Sequence, residues 1–212
     1  LIAAWRIVPA GIKFQPVTLA DLGQLLIQWR MLLAVLFTGS FLGSVYVLYT
    51  YIAPLLSETM GYGRDGVTLI LAIFGIGAVA GNVASALLTD RLGWKRTLTI
   101  LCLCQAASMP VFSLLPITDA LLFAVTFFWS TSGWAFMAAQ QTRLIGLAGA
   151  RAPVVLSLNA AAIYVGAALG SALGAWVLQR FGIGAVGIAA GLCSLGALAH
   201  LHLSARLSPP PS

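Results

Sequence analysis

Six stretches of about 20 apolar residues recur along this chain, each closed by a short linker of glycine, proline and charge. A run of that length is what a helix needs to cross about 30 Å of hydrocarbon. Lipid offers no partner for a bare peptide group, so such runs must form helices or closed barrel strands. Barrel strands would alternate strictly over about 10 residues, and these runs do not. The spacing predicts an all-α membrane protein with spans over 31–53, 67–88, 97–116, 120–141, 153–178 and 183–204. Only 8% of the 212 residues are charged, against about 25% in a soluble domain, so no water-facing surface could be built from this chain.

The linkers read as SETMGYGRDG, TDRLGWKR, PITD, RLIGLAGARAP and QRFGIG. Pro54, Pro116 and Pro153 mark span ends, whereas Pro110 lies within the third span and should kink it. Residues 1–29 are expected to hold the end of a preceding span and a cytoplasmic linker lying at the membrane surface. Residues 30–204 form the transmembrane unit, and 205–212 a disordered cytoplasmic tail. The chain opens on Leu1 in an apolar LIAAW, which suggests that an upstream membrane half precedes it. Cys102, Cys104 and Cys193 all fall inside apolar runs, without metal-ligand spacing or a disulfide framework.

A net charge of +6 invites the thought of nucleic acid, but the positions of the basic residues oppose it. Arg6, Lys13, Arg30, Arg91, Lys95, Arg96, Arg143, Arg151 and Arg206 fall on one side of an alternating six-span topology, Arg64 and Arg180 on the other. Positive charge is retained on the cytoplasmic side, so both ends are expected in the cytoplasm. The partners expected are the bilayer and a small-molecule substrate, with no nucleic acid.

Two stretches carry a family resemblance. The loop after the second span, with Asp90, Arg91, Gly93 and Lys95, resembles the G-x-x-x-D-R-x-G-R-[KR] signature of the major facilitator superfamily. Ala86 and Trp94 depart from it, replacing the first glycine and the first arginine after Gly93. Gly93 suits the tight bend that loop requires. The fifth span, from Ser157-Leu-Asn159 through Gly166, Gly170 and Gly174, is similar to the arabinose-efflux-permease branch of the twelve-span drug:proton antiporters. It follows a QTR-to-AP loop, and Tyr164 stands where the branch has a second asparagine. The end of the first span, YTYIAPLLSETMGY, resembles the same branch. The resemblance implies the C-terminal half of a transporter, two inverted three-helix repeats whose N-terminal six-helix partner is missing.

In that frame the first and fourth spans face a solute cavity, and the second and fifth serve gating. Tyr46, Thr50, Thr126, Ser130, Trp134, Met137, Gln141 and Asn159 are the candidate pathway residues. Asn159, Gly166, Gly170 and Gly174 share one face at 100° per residue. Small residues at that spacing let helices approach closely, and in the family such a face lies where the two halves slide. Asp21, Glu58, Asp65, Asp90 and Asp119 all lie in loops or at span ends. A proton-carrying carboxylate is therefore expected in the missing half, and an uncharged aromatic wall favours a neutral or amphipathic organic solute.

The chain shows no intramembrane Ser/His/Asp set, no H-E-x-x-H, no paired midplane carboxylates and no phosphate loop, so no enzyme, cofactor or metal is expected. The function expected is proton-coupled efflux of a sugar or drug from the cell through the inner membrane. An uptake carrier of the same superfamily, or a non-transporting six-span scaffold, is the alternative.

Overall fold

In lipid each backbone N–H must find a carbonyl within its own segment, and the Leu-, Ala- and Val-rich runs meet that demand as helices. The computed structural model describes residues 28–207, and all regular structure among them is helical. Most of the expected lead-in over 1–29, with Arg6, Lys13 and Asp21, and most of the expected tail lie outside the described residues. The order is α1 (Trp29–Tyr49), α2 (Ile52–Met60), α3 (Arg64–Ser108), a 3-10 stretch (Met109–Leu114), α4 (Asp119–Trp134) and α5 (Phe136–Ala148). A 3-10 turn (Gly149–Arg151), α6 (Ala152–Phe181), a second turn (Ile183–Ala185) and α7 (Val186–Leu207) complete it.

Four continuous helical stretches among these residues are long and apolar enough to cross a membrane: Trp29–Met60, Arg64–Leu114, Asp119–Phe181 and Ile183–Leu207. The 45-residue α3 is interrupted at Gly93, whose φ of 74° and ψ of 156° are not helical. Only glycine occupies that region readily. Thr97 Oγ1 lies 3.1 Å from Leu88 O and 3.0 Å from Gly93 O, its one proton shared between them. Nine residues of straight helix would put Leu88 and Thr97 about 13 Å apart along the axis, so the chain turns back at Gly93.

The linkers are shorter than the sequence suggested. Helix resumes at Ile52, where Pro54 sits in the first turn and gives up no needed N–H. It runs to Met60, so the SETMGYGRDG linker shrinks to residues 61–63. Likewise α5 carries the chain through Arg143 to Ala148, and only 149–151 remain of the expected RLIGLAGARAP loop. Pro110 does not bend a continuous α-helix. It opens the 3-10 stretch after Ser108, because its ring cannot follow an α-helical turn.

Close helix approach is built on glycine. A Cβ placed on Gly166 would lie 2.4 Å from Gly39 O, one on Gly170 2.2 Å from Gly43 O, and one on Gly174 2.6 Å from Val47 O. The numbers rise together, so α6 runs parallel to α1. A second ladder joins α3 to α4: a Cβ on Gly77 would meet Phe127 O at 2.8 Å, and one on Gly81 would meet Thr131 O at 2.3 Å. Ser85, four residues on, donates to Ala135 O at 2.6 Å. Between α7 and the end of the Gly93 hairpin the order reverses. Gly187 faces Met109 and Ser113, and Gly191 faces Pro110 and Ala106.

Large rings fill the centre. Phe41 stacks on Phe136 at 4.6 Å, and Phe37 packs against both. The start of α1, the end of α5 and the start of α6 share one cluster containing Met31, Leu144 and Val155. Arg143 meets Trp94 and Ser204 at that same end. The opposite end joins Tyr62 to Asp119.

Candidate functional site

Between α1, α3, α4, α5 and α6 lies a cavity of about 150 Å³. Its aromatic walls follow from spacing: Tyr46 and Tyr49 occupy successive positions on one side of α1, and Trp129, Gly133 and Trp134 do so on α4. Tyr49 packs on Phe74 at 4.8 Å, and Phe74 meets Trp129 edge-on at 5.0 Å. Ser130 contributes a hydroxyl, which donates to Phe127 O at 3.0 Å. Trp134 is 43% exposed. The lining holds no Asp, Glu, Lys, Arg or His. Such a wall offers dispersion and ring quadrupoles with a few hydroxyl and indole hydrogen-bond groups.

Four of the expected pathway residues, Tyr46, Ser130, Trp134 and Met137, line this cavity together. Thr50 lines a separate opening beside Tyr46, its hydroxyl 2.7 Å from that of Ser171. Thr126 is fully buried, and its Oγ1 has no hydrogen-bond partner among the described residues. Gln141 is exposed on α5. Asn159 is buried near the other end of α6, where it accepts a short hydrogen bond from Thr38.

The residue the sequence did not single out is Gln140. It is fully buried, and its Nε2 donates to Ala34 O at 2.8 Å and to Thr38 Oγ1 at 2.9 Å. Asn159, Thr38 and Gln140 thus form one polar chain across α6, α1 and α5. Only the nearness of two glutamines to a polar partner on α1 could have raised it, and that partner is a matter of packing.

Of the signature-loop residues, Asp90, Arg91 and Lys95 are exposed and Gly93 makes the turn. The side chain that anchors the turn is Trp94, whose ring lies beneath Arg143. Gly166, Gly170 and Gly174 are buried against α1 of this chain. The face expected where two halves slide is therefore occupied by α1 of this chain. Outward from α6 point Tyr164, 76% exposed, with Val165 and Leu169.

A larger groove of about 600 Å³ runs between α1, α6 and α7. His200 stands in it, Nε2 facing Leu33 O at 3.0 Å and Nδ1 facing Ser40 Oγ at 2.8 Å. A carbonyl can only accept, so Nε2 carries the proton toward Leu33. At the opposite end Tyr62 donates to Asp119 Oδ1 at 2.6 Å. That hydrogen bond, then desolvation and the carboxylate's charge, raises the phenol above its ordinary value of 10.0.

Comparison with known proteins places this architecture. The family model described as Major Facilitator Superfamily matches residues 3–154. The chain is 28% identical to "Inner membrane transport protein YdhP" of Escherichia coli O157:H7 over 85% of its own length and 46% of that protein's. It is 27% identical to a "Probable sugar efflux transporter" of Helicobacter pylori strain G27, over 72% of this chain and 39% of the relative. It is 26% identical to a "Chloramphenicol resistance protein" of Streptomyces lividans, over 70% and 38% respectively. The chain spans less than half the length of these curated relatives. On the family match and the apolar helices that carry it, the chain is a multi-pass membrane protein and belongs to the Major Facilitator Superfamily of transporters.

Proposed function

We propose that this chain is the C-terminal six-helix half of a secondary active transporter that exports a small neutral or amphipathic organic solute, a sugar or drug, by alternating access. Division at Gly93 and at residues 149–151 turns the four long helical stretches into six crossings, each near the length a bilayer requires. The glycine ladders support two inverted repeats. The first crossing packs on the fifth and the second on the fourth, a reciprocal exchange that a two-fold relation between repeats produces.

The uncharged aromatic cavity carries the functional reading. Its walls suit an apolar or amphipathic solute and offer no partner to a multiply charged one. The names of two relatives agree with this reading: sugar efflux with export of an organic solute, and chloramphenicol resistance with an organic solute. Proton coupling is part of the proposal. Glu58, Asp65, Asp90 and Asp119 all lie at helix ends or in turns, so the carboxylate that carries the proton belongs to the N-terminal half. Both ends of this half lie on the cytoplasmic side of the inner membrane, where Arg30, Arg91, Lys95, Arg96, Arg151 and Arg206 gather. No catalytic role is assigned to any residue.

The test is efflux of a dye and antibiotic panel from cells that express the complete transporter, with and without an uncoupler. Export of at least one neutral or amphipathic compound, abolished by the uncoupler, is the expected result. Export insensitive to the uncoupler removes antiport, and no export of any compound removes the reading.

A further inference from the structure

Arg143 of α5 is 1% exposed, and among the described residues it is met by rings and not by acids. Its guanidinium carbon lies 5.0 Å from the centre of the Trp94 ring and 5.7 Å from that of Phe37. One Nη donates to Ser204 Oγ at 2.7 Å. Nε and the other Nη have no hydrogen-bond partner among the described residues. Burial strips a cation of its hydration, and a carboxylate normally compensates. Here two ring faces stand in for the carboxylate through their quadrupoles.

The contacts come from four elements. Arg143 belongs to α5, Phe37 to α1 and Ser204 to α7, while Trp94 directly follows the Gly93 turn of α3. A ring face holds a cation without fixing its direction, whereas a carboxylate forks onto it in one geometry. The seat can therefore slide. Two spare donors also mean that any arrangement offering an acceptor competes with the seat observed here.

We infer that Arg143 is a positioning residue for the conformational exchange: seated between Trp94 and Phe37 it clamps the Gly93 turn to α1, α5 and α7, and exchange requires that seat to open. This rests on the alternating-access reading. Arg143, Trp94 and Ser204 are not among the residues that line the aromatic cavity, and the clamp reaches it only through Phe37, which packs on Phe136 of the lining. It therefore acts on the timing of exchange, with no side chain of its own in solute contact.

The experiment uses the chain in membranes of cells that express it, with Cys102, Cys104 and Cys193 changed to alanine. A single reporter, Leu92→Cys, is introduced beside the turn, where Leu92 is 36% exposed. The rate of alkylation by a water-soluble maleimide is read together with the thermal unfolding midpoint. Trp94→Phe keeps a ring face and should leave the rate within about twofold, whereas Trp94→Leu and Arg143→Met should raise it about tenfold, as loss of a desolvated cation–π seat implies. Arg143→Met should not lower the midpoint, because it removes a buried charge that has no counter-ion among the described residues. Rates within twofold of the parent for both Trp94→Leu and Arg143→Met overturn the inference. A raised rate that comes only with a lowered midpoint also overturns it, since Arg143 would then be holding the fold. If alkylation responds as expected while the complete transporter exports nothing, the transport reading falls and takes the role in exchange with it, leaving Arg143 as a clamp on the Gly93 turn alone.

Discussion

Gly170 of α6 lies so close to Gly43 of α1 that a Cβ on it would stand 2.2 Å from the Gly43 carbonyl oxygen. Lipid gives two helices no hydrophobic reason to pair, so backbone approach between small residues supplies the attraction. Gly170→Leu is expected to lower stability by about 1–3 kcal/mol through overpacking. Gly196→Ala, which meets open space, should unfold with the parent. Thermal unfolding in detergent reads both, and an unchanged midpoint for Gly170→Leu would mean that α1 and α6 do not approach this closely.

Gln140 and Gln141 are neighbours with opposite surroundings. Gln140→Leu removes the donor to Ala34 O and Thr38 Oγ1 in a buried setting, a loss of about 0.5–1.5 kcal/mol. Gln141→Leu, on an exposed position, should stay within about 0.5 kcal/mol. The two unfolding midpoints measured side by side decide it; equal losses would remove the polar chain from α6 through α1 to α5.

In the complete transporter, Trp134→Ala takes a partly exposed ring from the cavity wall. An aromatic contact is worth about 0.5–1.5 kcal/mol, so the apparent affinity for an exported solute should fall by up to about tenfold. Thr126→Val, at a buried site away from the lining, should leave it unchanged. Concentration-dependent efflux separates them, and an effect at Thr126 without one at Trp134 would place the solute elsewhere.

Tyr62 favours its neutral form in the folded chain because it donates to Asp119. Stability from this bond is fully present below pH 10.0, the ordinary phenol value, and is lost as pH rises through the raised one. Tyr62→Phe should therefore lower the unfolding midpoint near neutrality, and the gap to the parent should close in alkali. A gap that persists there would assign the effect of the hydroxyl to something other than its bond to Asp119.

Of the expected pathway residues on the fourth span, Ser130, Trp134 and Met137 line the cavity, whereas Thr126 and Gln141 do not. At 100° per residue the buried face of α4, with Leu122, Thr126, Trp129, Ser130 and Gly133, continues onto Gln140 and not Gln141, but which face of the span is buried is set by the helices packed against it. The same limit applies to Gly77 and Gly81. Their four-residue spacing is visible in the chain, but nothing in it says that Phe127 and Thr131 lie opposite.

By itself the sequence determined that this chain crosses a membrane as helices, that it turns at Gly93, and which basic residues are set apart in the linkers. Those properties follow from local apolar length, from glycine's freedom at Gly93 and from the solvation of charge, each a matter of a few neighbouring residues. Tertiary structure alone decided that the Gly166 ladder closes on α1, that Gln140 and not Gln141 is buried, and that Arg143 is met by Trp94. Those outcomes depend on which faces of distant helices meet, and lipid, equally favourable to any apolar face, leaves that choice to packing.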